Sequence, residues 1–240
     1  MCELFGLSCN GEDLAIASLS ILAKQYSIEN DHGWGIAYFK NGKAVLKKAP
    51  EKAKTSKDFF TVAEQAKSNL LIAHVRFATV GVQCEANCHP FIQHFLNKDW
   101  VFAHNGSIPI PRHEHHPRSR GETDSEQAFN KLIDQVVRYR QKGTLQGIYP
   151  GVKEGIKSIF KRYGNNITFN FLMSDGTLFY AFNHYEENPL FYLQKVKDYG
   201  SSFLISTKRL TPRDPWKKLR ADSLLVVSNG EVFVLSDPLQ

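Results

Sequence analysis

Two apolar runs are the clearest strand signals in this sequence: LLIAHVRF at residues 70–77 and WVFAH at residues 100–104. Short continuous runs of this kind are typical of buried strands. Both runs lead into polar residues, Arg76 in the first and Asn105 with Gly106 directly after the second. We therefore extend the prediction outward from these two strands and treat their polar ends as candidate functional positions.

The surrounding pattern places helices between two groups of strands. Apolar residues at helical spacing predict helices near residues 14–22, 59–66, 129–140 and 152–163. Further strands are predicted at 3–8, 35–39, 44–48, 167–173, 178–183, 190–193, 202–205, 224–227 and 232–235. This order predicts an α+β fold in which helices pack on a mostly antiparallel core. No long linker or internal repeat interrupts the pattern, so we expect a single domain over residues 1–240.

The composition excludes several classes of protein. The 240 residues are 42% hydrophobic and 22% charged, which suits a chain with a sizeable core and excludes disorder as its main state. No apolar run approaches the roughly 20 residues that span a bilayer, and the N-terminus does not resemble a secretory leader. We therefore expect a cytoplasmic protein whose cysteines are free thiols, namely Cys2, Cys9, Cys84 and Cys88.

The net charge of +6 raises the question of a polyanionic partner. Much of the excess lies in two lysine- and arginine-rich segments, 40–57 and 208–220. No nucleic-acid-binding motif accompanies the charge, so the prediction is solvated turns and strand edges rather than a nucleic-acid site. A basic binding module with a vestigial catalytic site is the alternative from a different functional class.

Cys2 is the first candidate catalytic residue. If an aminopeptidase removes Met1, the Cys2 thiol lies beside a free α-amine, whose pKa of about 7.7–8.0 suits a general base at neutral pH. A nucleophile that carries its own base needs no separate histidine. The alternative interpretation is a small apolar residue that follows the initiator methionine by chance.

The polar ends of the two strands are the next candidates. Strand alternation puts Ile72, His74 and Arg76 on one face, where a buried guanidinium requires a partner. That partner is either a protein carboxylate, in a structural salt bridge, or a substrate carboxylate held bidentately. Asn105 and Gly106 either form a turn or supply an amide N–H and a backbone N–H to an oxyanion hole.

Residues 121–126, GETDSE, precede the long helix predicted near residues 129–140. Thr123 and Glu126 have the spacing of a capping box. Asp124 in the first turn suits the helix dipole, and its carboxylate could also bind an ammonium group. A cysteine nucleophile, a carboxylate clamp, an oxyanion hole and an ammonium anchor together describe an amino acid attacked at its side-chain amide. Glutamine has that shape.

Five motifs in this order resemble the class II glutamine amidotransferases. The stretches MCEL at residues 1–4 and DHGWGI at 31–36 are most similar to the stand-alone YafJ-type members of that family. The motifs are MC at residues 1–2, HVRFAT at 74–79, NCHP at 87–90, HNG at 104–106 and ETDSE at 122–126. The resemblance covers residues 2 to about 130. It implies the N-terminal-nucleophile hydrolase fold, a four-layer αββα sandwich, and the activity of a glutamine amidotransferase or glutaminase-type amide hydrolase.

The resemblance also implies a role for each matching residue. Cys2 is the nucleophile, and its own amine is the base. The oxyanion hole consists of Asn105 and Gly106, and the glutamyl group is bound by Arg76, Thr79 and Asp124. Glutamine or a γ-glutamyl compound is then hydrolysed through a glutamyl thioester, with release of ammonia or an amine and without a cofactor. His89 matches a motif position that we interpret as structural.

Several alternatives stay open at this point. Because no acceptor domain follows the matched region, the chain is either a hydrolase of glutamine or γ-glutamyl peptides, or a subunit that supplies ammonia to a separate synthase. Loops at 107–122 or 208–220 are expected to line the side of the leaving group. The apolar content is compatible with a homodimer without requiring one.

A metal site is the remaining alternative for the cysteines and histidines. Cys84 and Cys88 have a spacing within the range of zinc ligands, with His89 and His94 nearby. No second closely spaced ligand pair accompanies them, so we predict ordinary free thiols and no metal.

Overall fold

The computed structural model describes residues 2–141, 147–197 and 200–239. Its helices are α1 (Ile16–Tyr26), α2 (Lys57–Gln65), α3 (Asp124–Gln141) and α4 (Ile148–Tyr163). Its strands are β1 (Glu3–Leu14), β2 (Trp34–Lys40), β3 (Lys43–Ala49), β4 (Lys67–Val75), β5 (Phe91–Phe95), β6 (Lys98–Ser107), β7 (Thr168–Ser174), β8 (Phe179–Asn183), β9 (Phe191–Lys197), β10 (Gly200–Ser206), β11 (Lys217–Lys218), β12 (Ser223–Ser228) and β13 (Glu231–Leu235).

The strands form two antiparallel sheets. The first sheet has the order β11-β9-β10-β1-β4-β2-β3, and the second has the order β13-β12-β8-β7-β6-β5. The predicted strands 70–77 and 100–104 are β4 and β6, and both are interior strands of their sheets. None of the helices in the described parts of the chain is long and apolar enough to cross a membrane.

Three apolar clusters separate the secondary structure into four layers. One cluster joins α3 and α4 to the second sheet, with Phe129 and Ile156 facing Phe171. Another joins α1 and α2 to the first sheet. The third, which we call the inter-sheet core, lies between the two sheets and contains Ile72 and Leu172. The predicted α+β class and the predicted αββα sandwich are therefore confirmed.

The layering explains why the two decisive runs lack an alternating pattern. In β4, Leu71 packs towards the helices and Ile72 towards the inter-sheet core. In β6, Phe102 packs towards the helices and Val101 towards the inter-sheet core. Because each interior strand buries both faces, apolar residues occupy both faces along the middle of the strand, and no apolar–polar alternation is seen there.

Close contact between α3 and α4 depends on two glycines. A Cβ atom at Gly151 would lie 2.6 Å from the Cα of Val136, and one at Gly155 would lie 2.8 Å from a methyl carbon of Leu132. Both distances are shorter than van der Waals contact, so the two helices pack at this separation only with glycine. The helices predicted near 129–140 and 152–163 are confirmed, and each is longer than predicted.

Two local features differ from what the sequence pattern indicated: one of the two alternatives for Asn105-Gly106 is excluded, and the capping box is incomplete. Asn105 and Gly106 do not form a turn, because β6 continues through them to Ser107 and pairs them with β7. The capping box before α3 is only half formed: the hydroxyl of Thr123 accepts the N–H of Glu126, but the carboxylate of Glu126 accepts the N–H groups of Arg120 and Gly121 instead. The short strands β5 and β11 had no prediction.

Candidate active site

Cys2 lies directly before β1, beside the residues that follow β4. Its Sγ accepts a hydrogen bond from the N–H of Phe77 at 3.1 Å and donates one to the carbonyl of Phe77 at 3.2 Å. Burial raises the pKa of the Cys2 thiol to about 11, although the hydrogen bond with Phe77 opposes the shift. The thiol is therefore protonated at neutral pH and needs a base at the moment of attack.

The main chain of Cys2 is held by a residue of the other sheet. The side-chain Nδ2 of Asn105 in β6 donates to the carbonyl oxygen of Cys2 at 2.7 Å, and Asn105 is almost completely buried. This bond joins the start of β1 to the end of β6 across the inter-sheet layer. An asparagine amide has two N–H groups, so the bond to Cys2 leaves a second one for another acceptor.

Gly106 occupies a position that only glycine can take. Its φ is +148°, and a Cβ atom there would lie 1.9 Å from the carbonyl oxygen of Thr168. The close approach of β7 thus requires glycine directly after Asn105. The glycine of the HNG motif at residues 104–106 is therefore required for a local steric reason.

Arg76 follows β4 and is 2% exposed. Its guanidinium donates to the carbonyls of Val80 at 2.8 Å, Gly81 at 3.3 Å and Val82 at 3.5 Å. The partners of the Arg76 guanidinium are thus backbone carbonyls of the loop that follows. The structural salt bridge with a protein carboxylate, one of the two alternatives for Arg76, is not formed within the described part of the chain. Thr79 lies in the same loop with an exposed side chain.

Asp124 is the first residue of α3, and its carboxylate holds the local backbone. One oxygen accepts the N–H of Ile108 at 2.7 Å, and the other accepts the N–H of Ser125 at 2.9 Å. The carboxylate lies on the wall of a cavity of about 450 Å³ that is also lined by Gly81 and Arg112. Since Gly81 binds Arg76, the cavity connects the Arg76 loop with Asp124.

His104 ties the end of β6 to the start of α3. Its Nδ1 lies 2.8 Å from the hydroxyl of Ser125, and its Nε2 lies 3.2 Å from the carbonyl of Thr168. Because a carbonyl only accepts, Nε2 carries the proton and Nδ1 accepts from Ser125. Burial lowers the pKa of His104, although Asp124 opposes the shift, so the ring is neutral. The sequence contained the signal for this residue in the HNG motif, but no role was predicted for it.

His74 and His89 are both buried and contact each other. The Nε2 of His74 and the Nδ1 of His89 are 3.0 Å apart, and the rings meet edge to face. Burial lowers the pKa of His74 to about 3 and that of His89 well below its ordinary value. Two neutral rings can therefore lie near the Arg76 cation without repulsion. The structural interpretation of His89 agrees with this arrangement.

Four further residues lie near Cys2 for which the sequence predicted no role in the site: Glu3, Asn188, Thr207 and Lys208. Their side chains contact one another or the Cys2 carbonyl. They come from the start of β1, the loop between β8 and β9, and the segment after β10. Glu3 lies directly beside Cys2 in the sequence, whereas no pattern within the other two segments connects them to Cys2.

The four residues considered as zinc ligands have other surroundings. His94 pairs with Asp99 at 2.8 Å on the surface, His89 packs against His74, and the thiol of Cys88 donates to the carbonyl of Cys84. Within residues 2–141, 147–197 and 200–239, no group of three or more His, Cys, Asp or Glu side chains has an arrangement that could hold a metal ion.

Comparison with known proteins identifies the family. The family described as glutamine amidotransferases class-II matches residues 1–203. The chain is 27% identical to a protein of Escherichia coli named as the glutamine amidotransferase YafJ, over 98% of this chain and 100% of that protein. It is 28% identical, over 40% of each chain, to the gamma-glutamyl-hercynylcysteine sulfoxide hydrolase of Mycobacterium tuberculosis.

A solved structure supports the same assignment at the level of the fold. A crystal structure from Pseudomonas aeruginosa, described as a glutamine amidotransferase, superposes with a TM-score of 0.69 at 23% identity and covers 97% of this chain and 100% of that one. The fold is the four-layer αββα sandwich of the N-terminal-nucleophile hydrolase type. The chain belongs to the class II glutamine amidotransferases, and the resemblance to YafJ-type proteins is confirmed.

Proposed function

We propose that the chain is a single-domain amide hydrolase in which Cys2 attacks the side-chain amide of glutamine or a γ-glutamyl compound. The observation that carries the proposal is the 2.7 Å bond between Asn105 and the Cys2 carbonyl. It brings the nucleophile at the start of β1 next to the oxyanion-hole candidates at the end of β6. Met1, whose removal this mechanism requires, lies outside the described residues.

The proposed reaction has two halves. The free α-amine of Cys2 takes the thiol proton as Sγ attacks the amide carbon, and the oxyanion accepts hydrogen bonds from the second N–H of Asn105 and the N–H of Gly106. The amine then gives its proton to the leaving nitrogen, so that ammonia or an amine departs and a glutamyl thioester remains. Water, deprotonated by the same amine, releases glutamate and restores the thiol.

The binding roles in the proposal follow from charge. Arg76 binds the α-carboxylate of the glutamyl group, with Thr79 beside it, and Asp124 binds the α-ammonium. Two of the lone-pair sites of the Asp124 carboxylate are occupied by backbone N–H groups, which leaves others for a ligand. The shared cavity between Asp124 and the Arg76 loop supports a site that holds both charged groups of one amino acid.

The test is intact-protein mass spectrometry after incubation with an electrophilic diazo-ketone analogue of glutamine. We expect a chain that lacks Met1 and carries one adduct on Cys2. The Cys84→Ala variant is the control, because Cys84 is half-buried and lies outside the proposed site, and it should label like the wild type. A processed chain that takes up no adduct would refute the proposal.

The leaving group is decided by comparing substrates. Free glutamine, γ-glutamyl peptides and γ-glutamyl amides share the glutamyl half that Arg76 and Asp124 bind. The similarity to a γ-glutamyl compound hydrolase supports including the larger substrates. Faster glutamate release from γ-glutamyl amides than from glutamine would assign the hydrolase role. Slow release from all of them would favour ammonia supply to a separate synthase.

A further inference from the structure

A buried ion pair lies directly beside the proposed nucleophile. The carboxylate of Glu3 accepts a hydrogen bond from the hydroxyl of Thr207 and lies 3.3 Å from the Nζ of Lys208. The side chain of Glu3 is 5% exposed, and that of Lys208 is 31% exposed. Burial raises the pKa of the Glu3 carboxyl, whereas Thr207 and Lys208 oppose the shift. A carboxylate in such a place needs these partners to remain charged.

Asn188 connects this ion pair to Cys2. Its Oδ1 accepts a hydrogen bond from the ammonium of Lys208 at 3.0 Å. Its Nδ2 lies 3.4 Å from the carbonyl oxygen of Cys2 and 3.5 Å from the carboxylate of Glu3. Because an ammonium group can only donate to the oxygen of an amide, Lys208 determines the orientation of the Asn188 amide group. It thereby directs the N–H groups of Asn188 towards Cys2.

The orientation of the Cys2 carbonyl has a direct chemical consequence. The pairing of β1 with β4 begins at Glu3, which pairs with Val75. Cys2 comes one residue earlier, so its main chain lies just beyond the end of the paired segment. Rotation about the Cα–C bond of Cys2 changes the direction of the carbonyl relative to the α-amine and Sγ. Hydrogen bonds from Asn105 and Asn188 to that carbonyl restrict this rotation.

We propose that Lys208, through Asn188 and Glu3, is a positioning residue that orients Cys2 and its α-amine for attack. The inference rests on the proposed function, because it assumes that Cys2 is the nucleophile. In the described contacts, Lys208 reaches neither Arg76 nor Asp124, the residues proposed to bind the glutamyl group. Its loss should therefore slow the chemical step without weakening substrate binding.

The experiment measures inactivation by the diazo-ketone analogue as a function of its concentration. This separates the maximal inactivation rate, kinact, from the half-saturating concentration, KI. For Lys208→Met we expect kinact to fall by about 10- to 100-fold, because a small displacement of the reacting groups lowers the rate by that amount. KI should stay at the wild-type value. Lys208→Arg retains a cation and should recover most of the rate.

The matched control is Lys98→Met. Lys98 also pairs with a buried carboxylate, that of Asp175 at 2.7 Å, but it is the first residue of β6, at the opposite end of the strand from Asn105 and Cys2. Its loss should lower stability and leave kinact unchanged. An equal loss of kinact in both variants, a change confined to KI, or a wild-type kinact in Lys208→Met would overturn the inference.

Two further outcomes are distinguishable. If Lys208→Met does not fold, Asn188→Ala removes the bridge and keeps the Glu3–Lys208 pair. It should then show the reduced kinact with unchanged KI, and a wild-type kinact would overturn the inference. If the processed wild-type protein itself takes up no adduct on Cys2, the proposed function fails, whatever the variants do.

Discussion

The middle and the end of the layer between the two sheets are built from the same strands and have opposite character. In the middle, β4 and β6 contribute Ile72 and Val101 to the fully buried inter-sheet core. At the end, the same strands lead to Arg76 and Asn105, and β1 begins after Cys2. The difference shows that one layer supplies stability by burial in its middle and has polar groups at its end, where the proposed active site lies.

The substitution Cys2→Ala should have the largest effect on activity. Loss of the nucleophile should lower kcat by at least about a thousandfold, since no other group replaces its covalent role. Stability should remain near that of the wild type, because the inter-sheet core is unchanged. Glutamate release and urea unfolding measure the two quantities. Retention of full activity would contradict the proposal that the polar end of the layer between the sheets carries the activity.

Leu172→Ala tests the middle of the same layer. Leu172 is fully buried in the inter-sheet core, so we expect a loss of about 2–5 kcal/mol in the free energy of unfolding. The KM for the substrate, measured well below the melting temperature, should not change. An increased KM together with unchanged stability would mean that the middle of the layer also shapes the site.

The buried histidines lie at the border of the two parts and should make stability pH-dependent. The pKa of His74 falls to about 3 and that of His89 falls well below its ordinary value, because both are buried. The unfolded chain takes up protons near pH 6.5 and the folded chain does not, so stability falls as the pH falls below 6.5. Between pH 7.5 and 5.5 we expect a loss of about 1.4 kcal/mol for each histidine.

Urea unfolding at the two pH values measures this loss. His89→Asn should reduce the pH dependence, because one proton-binding difference is removed. Leu172→Ala is the control, since it lowers stability without removing a titratable group, and its pH dependence should equal that of the wild type. A His89→Asn variant with the full pH dependence would show that other groups cause it.

Arg76→Lys should lower activity less than Cys2→Ala does. Lysine keeps the charge but loses the planar group that reaches the carbonyls of Val80 and Gly81. Loss of a hydrogen bond to a charged group costs about 1.5–3 kcal/mol, which corresponds to a roughly 10- to 150-fold lower kcat/KM. The change should lie mainly in KM.

Arg138→Lys is the matched control for this prediction. Arg138 is exposed in the last turn of α3, at the opposite end of that helix from Asp124, so its replacement should leave KM unchanged. If Arg76→Lys lowered kcat alone, Arg76 would act on the chemical step, and the proposed carboxylate-binding role would be wrong.

Much of the fold could be predicted because its signals are local. Continuous apolar runs identified β4 and β6, and helical spacing identified α3 and α4. The strand β5 had no prediction, since its residues are only partly buried and their pattern is weak. The Asn105-Gly106 pair indicated a turn, because these residues favour turns locally, whereas pairing with β7 extends the strand through them.

The candidate site could be predicted only in part. The motifs indicated Cys2, Arg76, Asn105, Gly106 and Asp124 by residue type and spacing, and their roles stay predictions until the experiments above are done. The partner of Arg76 could not be predicted, because backbone carbonyls carry no sequence signal. Asn188 could not be predicted either, since a lone asparagine in a loop is common and its neighbours form no motif.

Local patterns in the sequence identify the strands that are buried on both faces and the chemical groups that stand at their ends. Hydrophobicity and side-chain chemistry are properties of short segments, so they can be recognised without knowing the fold. Which of these groups meet depends on the tertiary structure alone. Cys2 and Asn188 are 186 residues apart in the chain, and they come together because β1 pairs with β10 and the loop after β8 returns beside it. Such contacts depend on sheet order and register, which no local pattern records.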